Sequence, residues 1–355
     1  MPKAHREDVT TGMEHTRPRR ASMREVAQLA GVAMSSVSRV LSGHPDVSAV
    51  MQARVQAAVA ELGYQPDLLA QSLRRQETMT IGFAVGDISN PLFAQIVAAA
   101  ETRLRGAGYS MLLTNSEGSP ALDAAHILLL AQRRVDGIIL SVSDEHDRPT
   151  LEAVARLDVP VVVLDRNVDV GNAVHVYTDH RHGMQQAVAH LLDLGHRDIA
   201  MINGQLMRPV EERQAALEAC YEERGLPSTY RILHGTFSVD YGARAAEELL
   251  SDETPPTAII AGGNQLMLGA LHVLHSRGLR LGRDVSFVGC DDIPISELYD
   301  PPVAVVRRDT AAIGPSAAEL MLARLRGADD VQDVTLPTEF IARPSCGPVP
   351  PARGR

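Results

Sequence analysis

SMREVAQLAGVAMSSVSRVLSGHPDVSAVMQARVQAAVAELG, residues 22–63, carries three short helical patterns in succession. Val26, Leu29 and Ala30 mark one face of the first, and Ser22 with Glu25 has the spacing of a capping box. Gly31 breaks it. Val37, Val40 and Leu41 form the inward set of a second helix. The third runs from Ser48, a capping residue, to Leu62, with Gly63 closing it. A helix-turn-helix needs a small residue where its helices cross, a residue tolerant of positive φ at the turn, and apolar residues that lock the second helix onto the first. Ala27, Gly31 and the pair Val37 and Val40 supply these at relative spacings of four, ten and thirteen.

Outward from this stretch the texture changes twice. Residues 1–21 are polar, contain Pro2 and Pro18, and show no apolar period, so they read as a disordered arm. Beyond residue 78 short aliphatic runs at 81–85, 111–114, 137–140, 161–164, 199–202, 258–261 and 285–288 alternate with helical stretches such as 93–106 and 183–194. That is the pattern of doubly wound parallel sheets, and its length exceeds one common sheet, which predicts two α/β subdomains with a ligand cleft between them. Residues 344–355 read as a tail.

Composition narrows the function classes. The chain has 355 residues and is 45% hydrophobic, ample for two or three packed units. No stretch approaches the roughly 18 uninterrupted apolar residues of a membrane span, and the start lacks a secretory signal, which predicts a cytoplasmic protein with no membrane partner. Cys220, Cys290 and Cys346 are few, distant and odd in number, against a disulfide framework. The net charge of −10 is uneven. Residues 1–75 hold 10 Lys and Arg against 7 Asp and Glu, a balance of +3, while the remainder holds 24 against 37, a balance of −13. A basic end on an acidic body suits a chain in which one segment meets phosphate.

Several chemistries lack their residues. His175, Asp179, His180 and His182 match no common zinc spacing and read as a turn and helix start, with Asp179 as a cap; no metal or cofactor is expected. The glycine-rich AGGNQLMLG (261–269) lacks the dinucleotide spacing, and neither a P-loop nor a nucleophile elbow occurs, so no enzyme activity is expected.

The stretch from Met23 to Arg75 closely resembles the headpiece of the LacI/GalR family of bacterial repressors, and the resemblance continues to about residue 343 through GDISNPLFAQI (86–96), RVDGIIL (134–140), VPVVVLDR (159–166), LGHRDIAMING (194–204) and GRDVSFVGCDD (282–292). It implies an all-α helix-turn-helix headpiece (22–65), a hinge helix (66–77), and an α/β periplasmic-binding-protein-like sensor (78–343) of two doubly wound parallel-sheet subdomains. Subdomain 1 is expected over about 78–176 plus 306–343, and subdomain 2 over about 177–305. The implied function is a sequence-specific transcriptional regulator, a repressor by base rate, that binds a near-palindromic operator as a homodimer and answers to a small-molecule effector. The alternative is a periplasmic-type solute-binding protein, which would share the body but carry an export signal in place of the headpiece.

Carried onto this sequence, the base-reading side chains are Met34, Ser35, Ser36 and Arg39, and Leu73 is the hinge leucine that wedges the minor groove at the dyad. Arg39 suits guanine, since its fork meets O6 and N7 together. Ala33 stands where the family usually has a capping serine, and Gln52 where it usually has arginine; both changes remove contacts to the DNA backbone. The implied effector residues are Asn90, Phe93, Asp165, Arg213, Phe237, Asp291 and Arg308. Phenylalanine can stack on a sugar face or a purine, and the charged groups can hydrogen-bond hydroxyls or ring nitrogens. Sugar-responsive members commonly carry an Asn-Asp pair where this chain has Gly263 and Asn264, and purine-responsive members carry polar ligands near Met207 and Pro209. The effector class stays open, with a sugar favoured.

Overall fold

The computed structural model describes residues 21–41, 44–64, 77–171, 173–328 and 330–350. The chain divides into two units, residues 1–76 and 77–355. The expected arm up to residue 20 and the expected hinge up to Gln76, Leu73 included, lie outside the described residues.

In the first unit, α1 (Met23–Ala30), α2 (Met34–Leu41) and α3 (Ala49–Leu62) pack around Val26, Ala27, Ala30, Val37, Val55, Ala58 and Tyr64. Each boundary has a local cause. The Ser22 hydroxyl accepts from the Glu25 N–H at 3.3 Å while the Glu25 carboxylate accepts from the Ser22 N–H at 2.6 Å, the reciprocal capping box. Ser48 caps α3 by accepting from the Met51 N–H at 3.3 Å. Gly31 and Gly63 end α1 and α3 at φ 61° and 57°, where a Cβ is strained. Leu29 is turned outward and is 47% exposed, because the inward stripe of α1 runs through 26, 27 and 30. Ala27, in place of Leu29, joins Val26 and Ala30 on the inner face.

The second unit holds two six-stranded sheets, each the centre of one lobe. The first lobe contains β1 (Thr80–Val85), β2 (Ser110–Asn115), β3 (Gly137–Ser141), β4 (Val161–Leu164), β5 (Val174–Thr178) and β11 (Val334–Leu336), in the order β11-β5-β4-β3-β1-β2 with every pairing parallel. The second contains β6 (Ile199–Asn203), β7 (Arg231–His234), β8 (Ala258–Ala261), β9 (Ser286–Cys290), β10 (Ala304–Arg308) and β12 (Thr338–Ile341), in the order β12-β10-β9-β8-β6-β7. Only the β10–β12 pair is antiparallel. The central strands β3, β4, β6, β8 and β9 are buried along their whole length, as parallel strands covered on both faces must be.

The covering helices follow the same alternation. They are α4 (Pro91–Gly106), α5 (Pro120–Gln132), α6 (Arg148–Ala155), α7 (His180–Asp193), α8 (Arg208–Glu223), α9 (Val239–Ser251), α10 (Asn264–Ser276), α11 (Pro294–Leu298) and α12 (Thr310–Leu325). In the first lobe α4 and α12 enclose Phe83, Leu104 and Met321 on one face of the sheet, while Ile127 of α5 and Val154 of α6 fill the other. In the second lobe α9 and α10 cover one face and α7 and α8 the other.

The chain passes between lobes after β5, after β10 and between β11 and β12. This differs from the division expected at 306–343: α12 and β11 lie with the first sheet, whereas all of β10 and β12 complete the second. The start of the expected tail is also built in. Ser345 is fully buried, donates to Phe287 O at 2.6 Å and accepts from the Ala304 N–H at 2.7 Å, while Gly347 O meets His196 Nε2 at 3.0 Å. These bonds satisfy polar groups of β9 and β10 that would otherwise be orphaned. Residues 344–347 therefore belong to the second lobe.

Candidate functional site

On the first unit, α2 turns Val37 into the core and leaves Met34 51% exposed, with Ser35 and Arg39 exposed and Ser36 half-buried. One helix face thus presents a hydroxyl, a guanidinium and a flexible apolar side chain, the groups that read base edges and the thymine methyl. At the N-terminus of α2 the Ala33 carbonyl accepts from the Ser36 and Val37 N–H groups, but alanine offers no side-chain acceptor. The turn before it is pinned by a residue that the sequence pattern did not single out. Arg54 of α3 donates to Ala30 O and Gly31 O, tying the third helix to the turn between the first two.

The second unit has a cavity of about 460 Å³ between its lobes, opposite the carboxyl ends of the strands, where open α/β sheets hold ligands. Asn90 and Phe93 reach it from the start of α4, Arg213 from α8, Phe237 from the loop before α9, Asp291 from the end of β9 and Arg308 from the end of β10. Six of the seven residues expected at the effector site therefore meet in one place. Asp165 lies beneath it, outside the lining. Arg166, Ser143, Gln205, Asn264 and Gln265 also line the cavity.

Asp165 and Asp291 occupy matching places. Each follows a central strand, each has positive φ (53° and 72°), and each backbone N–H donates to the next strand, to Val176 O and Val306 O respectively. Asp tolerates this left-handed conformation better than most residues, and such strain concentrates at sites where side-chain direction matters. The two carboxylates flank one guanidinium: Arg308 Nε donates to Asp291 Oδ1 at 2.7 Å and its Nη1 to Asp165 Oδ2 at 3.2 Å. Burial opposes the charge of Arg308, yet these two carboxylates outweigh it and raise the pKa further.

A second branch starts from the same aspartate. His180 Nε2 lies 3.0 Å from Asp165 Oδ2, and Arg213 Nη2 lies 3.1 Å from His180 Nδ1. A guanidinium only donates, so Nδ1 accepts and the proton sits on Nε2, pointing at Asp165. His180 is consequently neutral, and burial pushes its pKa down to about 4, with Arg213 acting in the same direction and Asp165 against it. For Asp165 burial alone would raise the pKa, but His180, Arg308 and the Thr178 N–H at 2.7 Å hold it well below the carboxylate range. Arg213 and Asp291 are thus joined under the cavity through His180, Asp165 and Arg308. His180, read from sequence as part of a turn, is a link in this chain, and α7 begins at it, capped by Asp179.

Direct bonds close the cleft between lobes. Asn264 Nδ2 donates to Asn90 Oδ1 at 2.8 Å, Gln265 Nε2 to Asp87 Oδ2 at 2.9 Å, Gln205 Nε2 to Ser143 O at 2.9 Å, and the Arg208 N–H to Glu145 Oε1 at 2.6 Å. The amide at 264 makes the first bond possible, because a carboxylate there would face another acceptor. Gly263 has its own cause: a Cβ would stand 3.1 Å from the Phe237 ring, and one on Gly204 would stand 2.1 Å from it. Two glycines therefore make room for the aromatic wall.

Comparison with known proteins agrees with both units. Residues 22–67 match the family described as bacterial regulatory proteins, lacI family, and residues 188–346 match the periplasmic binding protein-like domain. The HTH-type transcriptional repressor PurR of Vibrio atlanticus (strain LGP32) is 31% identical over 313 residues, covering 87% of this chain and 93% of the relative. Among solved structures, the lac repressor dimer bound to operator and the anti-inducer ONPF is similar with a TM-score of 0.83 at 28% identity, covering 92% of this chain and 99% of that one. The complex of the transcriptional regulator CelR with cellobiose gives a TM-score of 0.68 at 30% identity, covering 92% and 100%.

Proposed function

The chain belongs to the lacI family of bacterial regulatory proteins, as a DNA-binding transcriptional repressor governed by a small-molecule effector, and we propose that this effector is a sugar or sugar derivative held in the cavity between the lobes. The observation that carries the proposal is the meeting of Asn90, Phe93, Arg213, Phe237, Asp291 and Arg308 around one space. Aromatic faces beside charged, hydrogen-bonding groups suit a polyhydroxylated ring. The complex of CelR with cellobiose supports a sugar.

Met34, Ser35, Ser36 and Arg39 read the operator in this proposal, with Leu73 of the hinge at the dyad. The DNA-binding unit spans 22–65, and the effector-binding and dimerisation unit follows the hinge. A homodimer presents two headpieces to a near-palindromic operator, in keeping with the lac repressor dimer on its operator. Leu122 and Leu129, seven residues apart on α5, are 40% and 38% exposed, with Leu128 beside them; a second copy would bury this apolar face. No helix among the described residues is long and apolar enough to cross a membrane. A repressor of this kind acts in the cytoplasm and binds rather than catalyses.

Effector and operator are coupled through the cleft. A ligand that binds one arrangement of the lobes better than another shifts their equilibrium and, with it, operator affinity. A thermal-shift screen of sugars and sugar derivatives tests this, since a bound ligand raises the melting temperature. The expected result is a ligand that also changes operator affinity, with both effects lost in Asp291→Ala while effector-free operator binding remains. No stabilising ligand, or one that leaves operator affinity unchanged, contradicts the proposal.

A further inference from the structure

Arg166 and Arg213 reach the effector cavity from opposite lobes, the first from the end of β4 and the second from α8. They are 9% and 3% exposed. Around the cavity, among the described residues, the arginine ion pairs are those of Arg308 with Asp165 and Asp291 and of Arg208 with Asp165 and Glu212. Neither Arg166 nor Arg213 has one. Arg166 donates to two carbonyls, Val142 O and Asp165 O, both at 2.8 Å. Arg213 donates to Gly262 O at 2.7 Å and to the neutral imidazole of His180. A guanidinium carries five N–H groups, so each retains three beyond these contacts.

Buried arginines are almost always paired, because removing a cation from water is costly unless an anion compensates it. The buried carboxylates whose charge acts on Arg166 are already engaged, Asp123 by the Ser143 N–H at 2.6 Å. Asp165 is shared by His180, Arg208 and Arg308, and Glu145 accepts the N–H groups of Asn167 and Arg208. Asp291 is bound by Arg308. Of the remaining acids on the cavity, Glu117 is exposed and Asp87 already accepts from Ser89 and Gln265. Burial accordingly lowers the pKa of Arg166, with Asp165 and Glu145 only opposing it. Position 264 on the cavity wall is an amide and adds no negative charge to the site.

We propose that the effector is an anionic sugar derivative, whose oxyanion supplies the counter-ion that Arg166 and Arg213 lack and whose carbon skeleton meets Phe93 and Phe237. This rests on the reading of the cavity as the effector site. An oxyanion accepts the remaining N–H donors in charge-assisted, bidentate geometry, which neutral hydroxyls satisfy only singly. Since the two guanidiniums belong to different lobes, one anion draws on both and favours a single cleft arrangement, linking its charge to the operator response.

The test is the melting temperature of the full-length protein in inorganic phosphate, glucose 6-phosphate, gluconate and glucose, each against chloride at equal ionic strength. The expected result is a rise with inorganic phosphate, a larger rise with glucose 6-phosphate, and a smaller one or none with glucose; gluconate against glucose 6-phosphate separates a carboxylate from a phosphate preference. Arg213→Met loses the rise. Arg213→Gln, which keeps a donor for Gly262 O, gives the same comparison should the methionine variant not fold. Arg39→Ala, outside the cavity, keeps the rise, which separates the site from anions held by the DNA-binding face. Absence of a rise with every anion, a rise undiminished in the Arg213 variants, or greater stabilisation by glucose than by its phosphate overturns the proposal. Operator binding and its response to neutral sugars, measured on the unsubstituted protein, read the broader effector function separately: if those persist while anions do nothing, only the anionic assignment falls.

Discussion

Arg39 carries the sharpest expectation at the scale of single residues. It is exposed on the outward face of α2, where its fork can meet guanine O6 and N7 together. Arg39→Ala should relax preference at one base pair in each half-site by about 1–3 kcal/mol, measured by titrating operators with single base-pair changes. Uniform weakening on all sequences would assign it to phosphate instead. His180 gives a pH dependence. Its ordinary pKa of 6.5 applies to the unfolded chain, whereas burial in the folded protein lowers it to about 4. Between these values the unfolded state binds more protons, so stability falls as the pH drops through that window. Asp165, held below its ordinary 3.8, adds a loss in the same direction at more acid pH. His196, also lowered by burial, contributes too, so His180→Asn should flatten the decline of melting temperature between about pH 7 and about pH 4.5 without abolishing it. An unchanged slope contradicts the buried neutral role. Asn90, Arg213 and Asp291 are named from the sequence because the family resemblance carries effector positions onto them. His180, Arg54 and the Asn90–Asn264 bond are not, since their roles arise from contacts between residues 15 to 174 positions apart.

The three headpiece helices owe their boundaries to local chemistry, which is why Ser22, Gly31, Ser48 and Gly63 mark them correctly from sequence alone. Gly31 is the most demanding of these. A Cβ there would stand 2.7 Å from Arg54 Nη2, at a backbone φ that L residues avoid. Gly31→Ala should destabilise the headpiece by about 1–2 kcal/mol and weaken operator binding, while leaving the unfolding of the second unit unchanged. Circular dichroism melting of the isolated and full-length variants checks this; equal stability would show that Arg54 moves aside at no cost. The β-rich elements divide differently. Central strands are continuous aliphatic runs and stand out, whereas β7, β11 and β12 are short edge strands with mixed composition, and β10 ends in two arginines. Their strand identity comes from the partner beside them, a non-local property that periodicity does not carry. The same holds for β5, whose sequence VHVYT reads as a histidine-bearing turn until Val162 and Val163 of β4 pair with it.

At the scale of the whole molecule, dimerisation converts two modest headpieces into one reader of a symmetric site. Leu122→Glu with Leu129→Glu should move the monomer–dimer transition to at least about tenfold higher concentration in sedimentation equilibrium, since burying an exposed leucine contributes roughly 1.5–3 kcal/mol. No change would place the interface elsewhere on the surface. The two lobes supply the switch: direct bonds such as Asn264–Asn90, Gln265–Asp87, Gln205–Ser143 and Arg208–Glu145 span the cleft, and the chain of hydrogen bonds and ion pairs from Arg213 to Asp291 runs beneath it. All of this serves sequence-specific binding to a two-fold symmetric operator, and footprinting on DNA selected from a random pool measures that most directly. A dimeric repressor gives a protected near-palindrome whose half-sites lie about one helical turn apart and are protected together as protein is titrated. Protection of an asymmetric site, or none even at low salt, would contradict it.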